Sequence, residues 1–494
     1  MNAPLQYIIA WRVRNLPVLC LLSLISMGGC RKYLEAPMPN DEVTTADVFT
    51  TDNSSSAALN SVYAACYQQG LFSGAPSVGY LTGLYGDELR ELSSLQPSSL
   101  ALYQNGVSSS IGGVTGLWSD FYAQLYTINT AIQNLPAQST LAVPNKNQWL
   151  GEAYFLRGLM YFYITNLYGT APLVLGTDYA TNNTLARSPQ SDVYAQIVSD
   201  LQRADTLLSD SYFAASGATT TDRGRPNRMA ARALLAKTYL YTGDWKDAEI
   251  QADSVIADAA DYKLVNPVQT FLIGSSEVIW GIEPGFGSYY VNYVDGDVLA
   301  YYVPANTLPT NASVSVCLSD SLVNAFEPGD LRMTDWVGVD SVESGSGPAS
   351  VYYYAYKYKA NGSYTAPKEY VTMFRLGEVY LVRAEARAQQ GNFTGAGSAA
   401  SDLNTVRARA MLPPTTAATQ ADMLAAIAHE RRIELFCENG NRFFDLRRTG
   451  NLDAVMNVVA PLKGGSWASY KEWWPIPLTD IQNDIHLTQT PGFE

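Results

Sequence analysis

Two stretches of this chain repeat one pattern, Ala233-Leu-Leu-Ala-Lys-Thr-Tyr-Leu-Tyr-Thr-Gly243-Asp-Trp-Lys-Asp-Ala248 and Leu381-Val-Arg-Ala-Glu-Ala-Arg-Ala-Gln-Gln-Gly391-Asn-Phe-Thr-Gly-Ala396. Each has a glycine, a turn-forming polar residue and an aromatic residue in succession, with alanine three residues later. Glycine often ends a helix because it adopts the left-handed conformation without strain. The pattern predicts one helix pair joined at Gly243 and a second joined at Gly391.

This pattern is typical of tetratricopeptide-like helix pairs, in which small residues let the two helices pack closely. The copies lie far apart in the chain, so we expect large insertions between the pairs. Apolar residues at helical spacing predict further helices over residues 54–69, 117–135, 149–168, 190–208, 228–242, 245–259 and 420–438. The helix over 149–168 is apolar on nearly every side and is therefore expected to be central.

The remaining segments show no helical period. Residues 71–116 and 214–227 are rich in Gly, Ser, Thr and Pro and are predicted to be loops. Residues 277–282 predict a short strand, which opens a long irregular region rich in Tyr, Gly and Pro that reaches about residue 367. A non-periodic region of that length in a compact protein is usually functional.

Composition narrows the class of protein. Of the 494 residues 47% are apolar and 16% charged, which provides for a large core. The net charge of −14 disfavours nucleic acid as a partner, since such binding depends on Lys and Arg at phosphates, and a neutral ligand is favoured. Only two histidines are present, which are too few for a multi-histidine metal site and disfavour a His-based catalytic triad. No cofactor is expected.

The cysteines after the N-terminal segment are expected to be small buried side chains. These cysteines are Cys66, Cys317 and Cys437. Their spacing is not that of a disulfide framework or of a metal site, and three thiols allow at most one disulfide bridge.

The N-terminus reads as a secretory signal. Arg12 and Arg14 precede an apolar run over residues 16–25, and Gly28-Gly29-Cys30 follows. The cysteine after two glycines looks like a lipobox, in which cleavage precedes the cysteine and acyl chains are attached to it. We therefore expect a lipoprotein signal peptide over residues 1–29 and a lipidated tether over 30–50. No other stretch of the sequence is long and apolar enough to span a membrane.

The C-terminal block contains a pair of carboxylates with two possible meanings. Glu430 and Glu434 are four residues apart on one predicted helix, so they lie on one face. One interpretation is an acid/base pair of the kind that cleaves glycosidic bonds. The favoured interpretation is a structural network in which Arg431, Arg442 or Arg447 bind Glu and Asp side chains.

This block, from Glu430 to Arg448, together with Trp474-Pro-Ile-Pro477, resembles the C-terminal signature of the SusD/RagB family of Bacteroidetes outer-membrane lipoproteins. The sequence from Cys30 to Pro37 and the predicted helix over 375–386 agree with that family. The resemblance implies a mostly α fold, in which about four tetratricopeptide-like helix pairs form a scaffold for a large, irregular, loop-rich ligand-binding region. It implies an N-terminal part over 51–270 and a C-terminal part over 271–494, packed as one globular unit.

The resemblance also implies a role and partners. Family members bind glycan or another nutrient at the cell surface and cover a TonB-dependent outer-membrane transporter of the SusC type, and some take peptides. The resemblance implies that lipid on Cys30, such as palmitate, anchors the chain in the outer membrane, and that the chain faces outward. Arg31 and Lys32 depart from the acidic run that often marks surface export, so the outward orientation rests on the family alone.

Candidate ligand-binding residues are aromatic and polar residues in loops, because flat rings bind the C–H faces of sugars and polar groups bind the hydroxyls. The first group lies in the tyrosine loop, defined as residues 287–297, and consists of Tyr289, Tyr290, Asn292, Tyr293 and Asp295. The second group lies in the early loop and consists of Tyr103 and Asn105. The third candidate is a single tryptophan, Trp336. For each of these, packing against the scaffold is the alternative.

The sequence thus favours a binding protein without catalysis, which captures oligosaccharide and passes it to a transporter. Three alternatives stay open: a peptide-binding member of the same family, a surface glycoside hydrolase using Glu430 or Glu434, and a repeat scaffold with no small ligand.

Overall fold

The computed structural model describes residues 47–92, 96–284, 316–343, 348–360 and 368–494. Those ranges are mostly helical, and in chain order the helices are α1 (Asp52–Gln68), α2 (Val78–Tyr85), α3 (Pro97–Tyr103), α4 (Gly112–Asn134), α5 (Val143–Tyr168), α6 (Tyr179–Asn182), α7 (Gln190–Leu207), α8 (Arg228–Thr242), α9 (Trp245–Ile256), α10 (Asp320–Val323), α11 (Leu331–Asp335), α12 (Leu376–Gln389), α13 (Ala399–Arg409), α14 (Gln420–Glu434), α15 (Asn441–Arg448), α16 (Leu452–Leu462) and α17 (Leu478–Asn483).

Strands are short and pair only in twos within the described ranges. They are β1 (Leu89–Glu91), β2 (Tyr212–Phe213), β3 (Thr219–Thr220), β4 (Val278–Ile282), β5 (Val316–Leu318), β6 (Val337–Val342), β7 (Ser350–Ala355) and β8 (Val371–Arg375). The antiparallel pairs are β1–β5, β2–β3, β4–β8 and β6–β7. Each pair is therefore a local element among the helices and does not form a layer of its own.

The repeated pattern forms the two predicted helix pairs. Gly243 follows α8 in the left-handed conformation, with φ of 78°, and the Asp244 side chain accepts a hydrogen bond from the Asp247 amide to begin α9. Gly391 is likewise left-handed after α12, with φ of 84°, but α13 begins only at Ala399. The first connection is a tight turn, as predicted, and the second is longer than its sequence match indicated.

Successive helices pack side by side in one continuous array. Helix α4 packs on α5, α5 on α7, α7 on α8, α8 on α9, α9 on α12, and α12 on α13 and α14. The irregular region separates α9 from α12 in the sequence. The contact between these two helices makes the array continuous despite that insertion. The prediction of helix pairs separated by a large insertion is confirmed.

Helix α5 lies at the centre, as its apolar sequence predicted. Nearly every residue from Gly151 to Tyr168 is buried. Its two buried charges are both paired: Glu152 with Arg225, and Arg157 with Asp200 through bonds of 2.8 and 2.7 Å. Pairing is required because an unpaired charge at that depth is strongly destabilising.

Three predictions for the connecting segments were wrong. Residues 71–116 contain α2, α3 and the start of α4, residues 214–227 include strand β3, which pairs with β2, and the helix predicted to reach residue 438 ends at Glu434. Every residue of α2 is buried. A helix with no polar face has no amphipathic period, so spacing analysis overlooks it.

Residues Val48–Glu494 form one compact unit. Within it Cys66, Cys317 and Cys437 are free buried thiols, and burial raises the pKa of Cys317 to about 11. In the ranges that the model describes, no helix combines the length and apolarity needed to cross a bilayer.

Close packing of α5 on α7 gives a matched test with two helical glycines. A Cβ at Gly151 would lie 2.9 Å from Leu208 Cγ and 3.1 Å from Leu207 Cβ, whereas a Cβ at Gly116 in α4 would meet nothing within 4 Å. Gly116→Ala should raise the free energy of unfolding by up to about 1 kcal/mol through helix propensity. Gly151→Ala should lower it by about 1 kcal/mol, because overpacking costs more than propensity contributes. Urea denaturation measures both, and equal stability of the two variants would contradict the close packing.

Candidate functional site

Two of the predicted sites lie outside the described residues. These are Cys30 and the tyrosine loop with Tyr289, Tyr290, Asn292, Tyr293 and Asp295. Their roles remain predictions, and the structure bears only on the segments that flank the loop, Pro284 and Val316.

Tyr103 is the last residue of α3 and is half-buried. One side of its ring is covered by Lys463, whose Nζ lies 4.7 Å from the ring centroid. That ammonium group donates to the carbonyl oxygens of Leu84, Tyr85 and Gly86 at the end of α2, and burial lowers its pKa to about 7. Tyr103 is therefore held in place from beneath while part of its surface stays accessible.

Asn105 was predicted to contact ligand, and the structure gives it a different role. The residue is fully buried, its φ is 55°, and its Nδ2 donates to the Tyr85 carbonyl oxygen at 2.7 Å. Asparagine tolerates this left-handed conformation better than most residues. Asn105 ties the turn after α3 to the end of α2, and its side chain does not reach the surface.

Trp336 was also predicted to contact ligand, and the structure places it in the interior. Its exposed fraction is 0%, and its Nε1 donates to the Pro267 carbonyl oxygen at 2.7 Å. Three cations lie over the ring, with Lys357 at 4.8 Å, Arg409 at 5.1 Å and Arg375 at 5.5 Å from its centroid. The ring is part of the interior and has no face to offer a ligand.

The structure brings Tyr103 next to a group of residues that the sequence analysis did not single out. Burial raises the pKa of Tyr103, and the Glu91 amide and the Arg90 charge act on the same hydroxyl. Arg90 lies on β1, opposite Cys317 on β5, and its guanidinium sits 5.7 Å from the Tyr352 ring centroid. Strands β1, β5 and β7 thus converge beside α3.

Strand β7 contributes the aromatic surface there. Tyr352 and Tyr354 point to the same side of the strand by alternation, and the ring of Tyr356, just beyond it, lies edge-on to Tyr354 at 5.8 Å. Tyr354 is buried among Leu92 and Cys317, whereas Tyr352 and Tyr356 are only partly covered.

We call Arg90, Tyr103, Tyr352, Tyr356 and Lys359 the tyrosine face; Lys359 lies 5.4 Å from the Tyr356 ring centroid. It combines partly exposed rings with cationic donors. The signal for it was present in Val351-Tyr-Tyr-Tyr-Ala-Tyr-Lys-Tyr358, a tyrosine-rich run of the kind typical of a strand.

The carboxylate of Glu434 is the centre of a buried ion network. Its Oε1 accepts from Arg375 and Arg409, and its Oε2 accepts from Arg332 at 2.8 Å. Burial alone would raise the pKa of Glu434, but Arg409, Arg375 and Arg332 hold it well below its usual range. Arg375 also binds Glu438, through Nε and Nη2 at 2.8 Å each.

Glu430 belongs to the same network, with Arg332 at 2.6 Å and Arg407 at 3.1 Å. A catalytic acid needs a raised pKa and access to substrate. Glu434 has neither, and Glu430 is 1% exposed, so the structural interpretation of this pair is confirmed.

Two of the three arginines predicted to bind Glu or Asp side chains do so, and their partners are aspartates. Arg431 binds Asp445 at 2.7 Å, Arg442 binds Asp87 at 2.8 Å, and Arg447 donates to Asn166. None of the three binds Glu430 or Glu434. The arginines that bind Glu430 and Glu434 come from distant segments of the chain. The spacing of residues on one helix therefore carries no information about them.

Removal of the central charge should be far more costly than removal of a surface charge. Glu434→Gln leaves three buried guanidinium groups without their shared anion and should lower the free energy of unfolding by about 3 kcal/mol or more. Asp210→Asn removes a carboxylate whose side chain is 64% exposed and which pairs with Arg228; it should cost less than about 1 kcal/mol. Denaturation by guanidinium chloride compares the two, and similar costs would refute a stabilising role for the network.

Comparison with known proteins agrees with this architecture. A family model described as "SusD family" matches residues 340–493, and one described as "Starch-binding associating with outer membrane" matches residues 32–240. The two matches do not overlap, and together they cover well over half of the chain.

Individual relatives are similar over most of their length. "SusD-like protein P2" of Formosa agariphila is 25% identical over 90% of this chain and 95% of that protein, and "Starch-binding protein SusD" of Bacteroides thetaiotaomicron is 25% identical over 69% and 72%. A solved structure titled "Laminarin binding SusD-like protein" is 25% identical, with a TM-score of 0.71 over 89% of this chain and 98% of that one. The array of helix pairs, the order of the matched segments and these likenesses show that this chain belongs to the SusD family.

Proposed function

We propose that this protein binds oligosaccharide at the outer surface of the cell and delivers it to a TonB-dependent transporter of the SusC type. The single observation that carries the binding part is the tyrosine face, where partly exposed rings and cationic side chains share one patch. The names of two relatives, which refer to starch and laminarin, support a glycan as the ligand.

The tyrosine face suits a neutral sugar. Ring faces bind the C–H surfaces of pyranose units, and Arg90 and Lys359 supply donors for hydroxyl oxygens. The rings are also preorganised, since Tyr103 rests on Lys463 and Tyr352 lies against Arg90. Little side-chain entropy is then lost on binding.

The tyrosine loop is proposed to contribute to the same site. The segment that contains it continues directly into Val316, which pairs with Glu91 of β1. Glu91 neighbours Arg90 and acts on the hydroxyl of Tyr103. The position of Val316 beside the tyrosine face supports a contribution from Tyr289, Tyr290 and Tyr293.

Anchoring and delivery complete the proposal. Lipid on Cys30 would hold the protein at the outer membrane, in agreement with the family description that mentions outer-membrane association. Binding at a surface is useful for nutrition only when a transporter lies beneath it. No catalysis is included, because the candidate carboxylates are buried and paired with arginine.

Glycan binding is expected to depend on the tyrosine face. Calorimetry with starch, laminarin and other polysaccharides should show saturable binding to at least one of them. Tyr352→Ala and Tyr103→Ala should each weaken it by about tenfold, the usual loss when an aromatic contact is removed from a binding site. Tyr290→Ala should weaken it as well if the tyrosine loop contributes.

The matched control is Tyr179→Ala. Tyr179 is 78% exposed on α6 and is not part of the tyrosine face, so its loss should leave affinity unchanged. Binding of peptides instead of polysaccharides would support the peptide-binding alternative, and release of reducing ends would support a hydrolase. A protein that binds none of these ligands would be a scaffold only.

The anchor has a separate test. Cys30→Ala should abolish membrane retention and leave glycan affinity intact, because lipid on that residue serves attachment and not recognition. Fractionation of cells followed by detection of the protein measures retention. A Cys30→Ala variant that stays in the membrane fraction would contradict the anchor.

A further inference from the structure

A groove of about 900 Å³ lies among α8, α9, α12, α14, α15 and α16. None of the tyrosine-face residues lines it. Its size is at the upper end of typical ligand sites. The groove is formed where the two repeated helix pairs meet the C-terminal helices, and it has two distinct kinds of surface.

The first kind is small and apolar. Helix α14 lines the groove with Ala421, Leu424, Ala425 and Ala428, of which the three alanines are exposed. Across from them α16 contributes Ala454 and Val455, and the exposed Val458 and Leu462 extend its apolar stripe, at 65% and 82% exposure. Alanine walls leave room for side chains of another molecule.

The second kind is polar and includes buried donors that have no acceptor. Arg431 lines the groove with its side chain 2% exposed, and its Nη1 has no hydrogen-bond partner. Tyr241 and Arg432 also line it, and the Tyr241 hydroxyl and the Arg432 Nε are likewise buried without partners. All three groups can donate a hydrogen bond. Among the groove-lining residues of the described chain, no carboxylate oxygen is left unpartnered in this way.

The acidic residues of the groove are already occupied. Asp445 accepts from both Arg431 and Arg448, and Glu385 accepts from both terminal nitrogens of Arg448. Neither carboxylate can therefore turn towards Arg431 Nη1 or the Tyr241 hydroxyl without breaking an existing pair. An anionic group from outside is the complement that remains.

We propose that this groove binds an acidic segment of a partner protein. A carboxylate of the segment accepts from Arg431 Nη1 and the Tyr241 hydroxyl, and apolar side chains beside it pack on the alanines of α14 and the stripe on α16. Buried donors without acceptors favour such a ligand, because leaving them unpaired in the free protein is unfavourable. This interaction does not depend on the proposed glycan binding.

The test uses the full-length lipid-free protein and a defined probe. The probe is a short capped peptide in which glutamate alternates with alanine and leucine, and the comparison peptide has glutamine at every glutamate. Fluorescence anisotropy should show the glutamate peptide binding about tenfold or more tightly than the glutamine peptide. Its affinity should fall as salt is added.

Two variants locate the site. Tyr241→Phe removes only an unpartnered hydroxyl, so it should leave folding intact and weaken peptide binding about fivefold. Ala425→Trp fills the groove from an exposed position and should abolish binding. Ala57→Trp, at an exposed alanine on α1, is the matched control and should bind as the unaltered protein does.

The results that overturn the proposal are equally definite. They are absence of binding, equal binding of the glutamate and glutamine peptides, or undiminished binding by Ala425→Trp. Loss of polysaccharide binding in Ala425→Trp would also overturn it, since that would make the groove part of the glycan site. Failure of glycan binding in the unaltered protein leaves the peptide result unaffected, so the two proposals fail separately.

Discussion

The burial of Glu434 among three arginines is the interaction on which the arrangement of the molecule depends. It joins the last turn of α14 to Arg332 of α11, Arg375 at the end of β8 and Arg409 at the end of α13. These elements belong both to the helical array and to the irregular region inserted into it. Each charge in the network can be buried only if its partners are present, so the array and the insertion must assemble together.

The same network supports the tyrosine face. Lys357 follows Tyr356 in the chain, donates to the Glu434 carbonyl oxygen at 2.9 Å and also binds the Glu438 carboxylate. Burial lowers its pKa to about 8. The segment that presents Tyr352 and Tyr356 is thereby fixed at Lys357 to the ionic centre, while its first residues face solvent. The rigidity that the proposed sugar-binding surface needs would thus come from buried charge.

The face and the groove present opposite chemistry on one scaffold. The tyrosine face offers rings whose polar edges are partly exposed, and the groove offers alanine walls with buried donors. The groove lies between helices and is bounded in part by small residues. A single scaffold can therefore support recognition of two classes of ligand at separate surfaces.

Local pattern was sufficient to predict most of the long helices, the two repeated pairs and the central position of α5, because spacing and glycine turns are encoded by neighbours in the chain. It failed where burial has no period, as in α2, and where exposure depends on distant residues. Trp336 and Asn105 were predicted to contact ligand because they lie in segments without a helical period, and the fold buried both.

By itself the sequence determined the class of fold, the family resemblance and the kind of residue expected at a binding surface. Only the tertiary structure decided which arginines bind Glu434, since Arg332 and Arg375 are 102 and 59 residues away from it. It also decided that Tyr103 meets Tyr352 through Arg90. The physical reason is that charge pairing and ring exposure are set by contacts between distant segments, and no local period records such contacts.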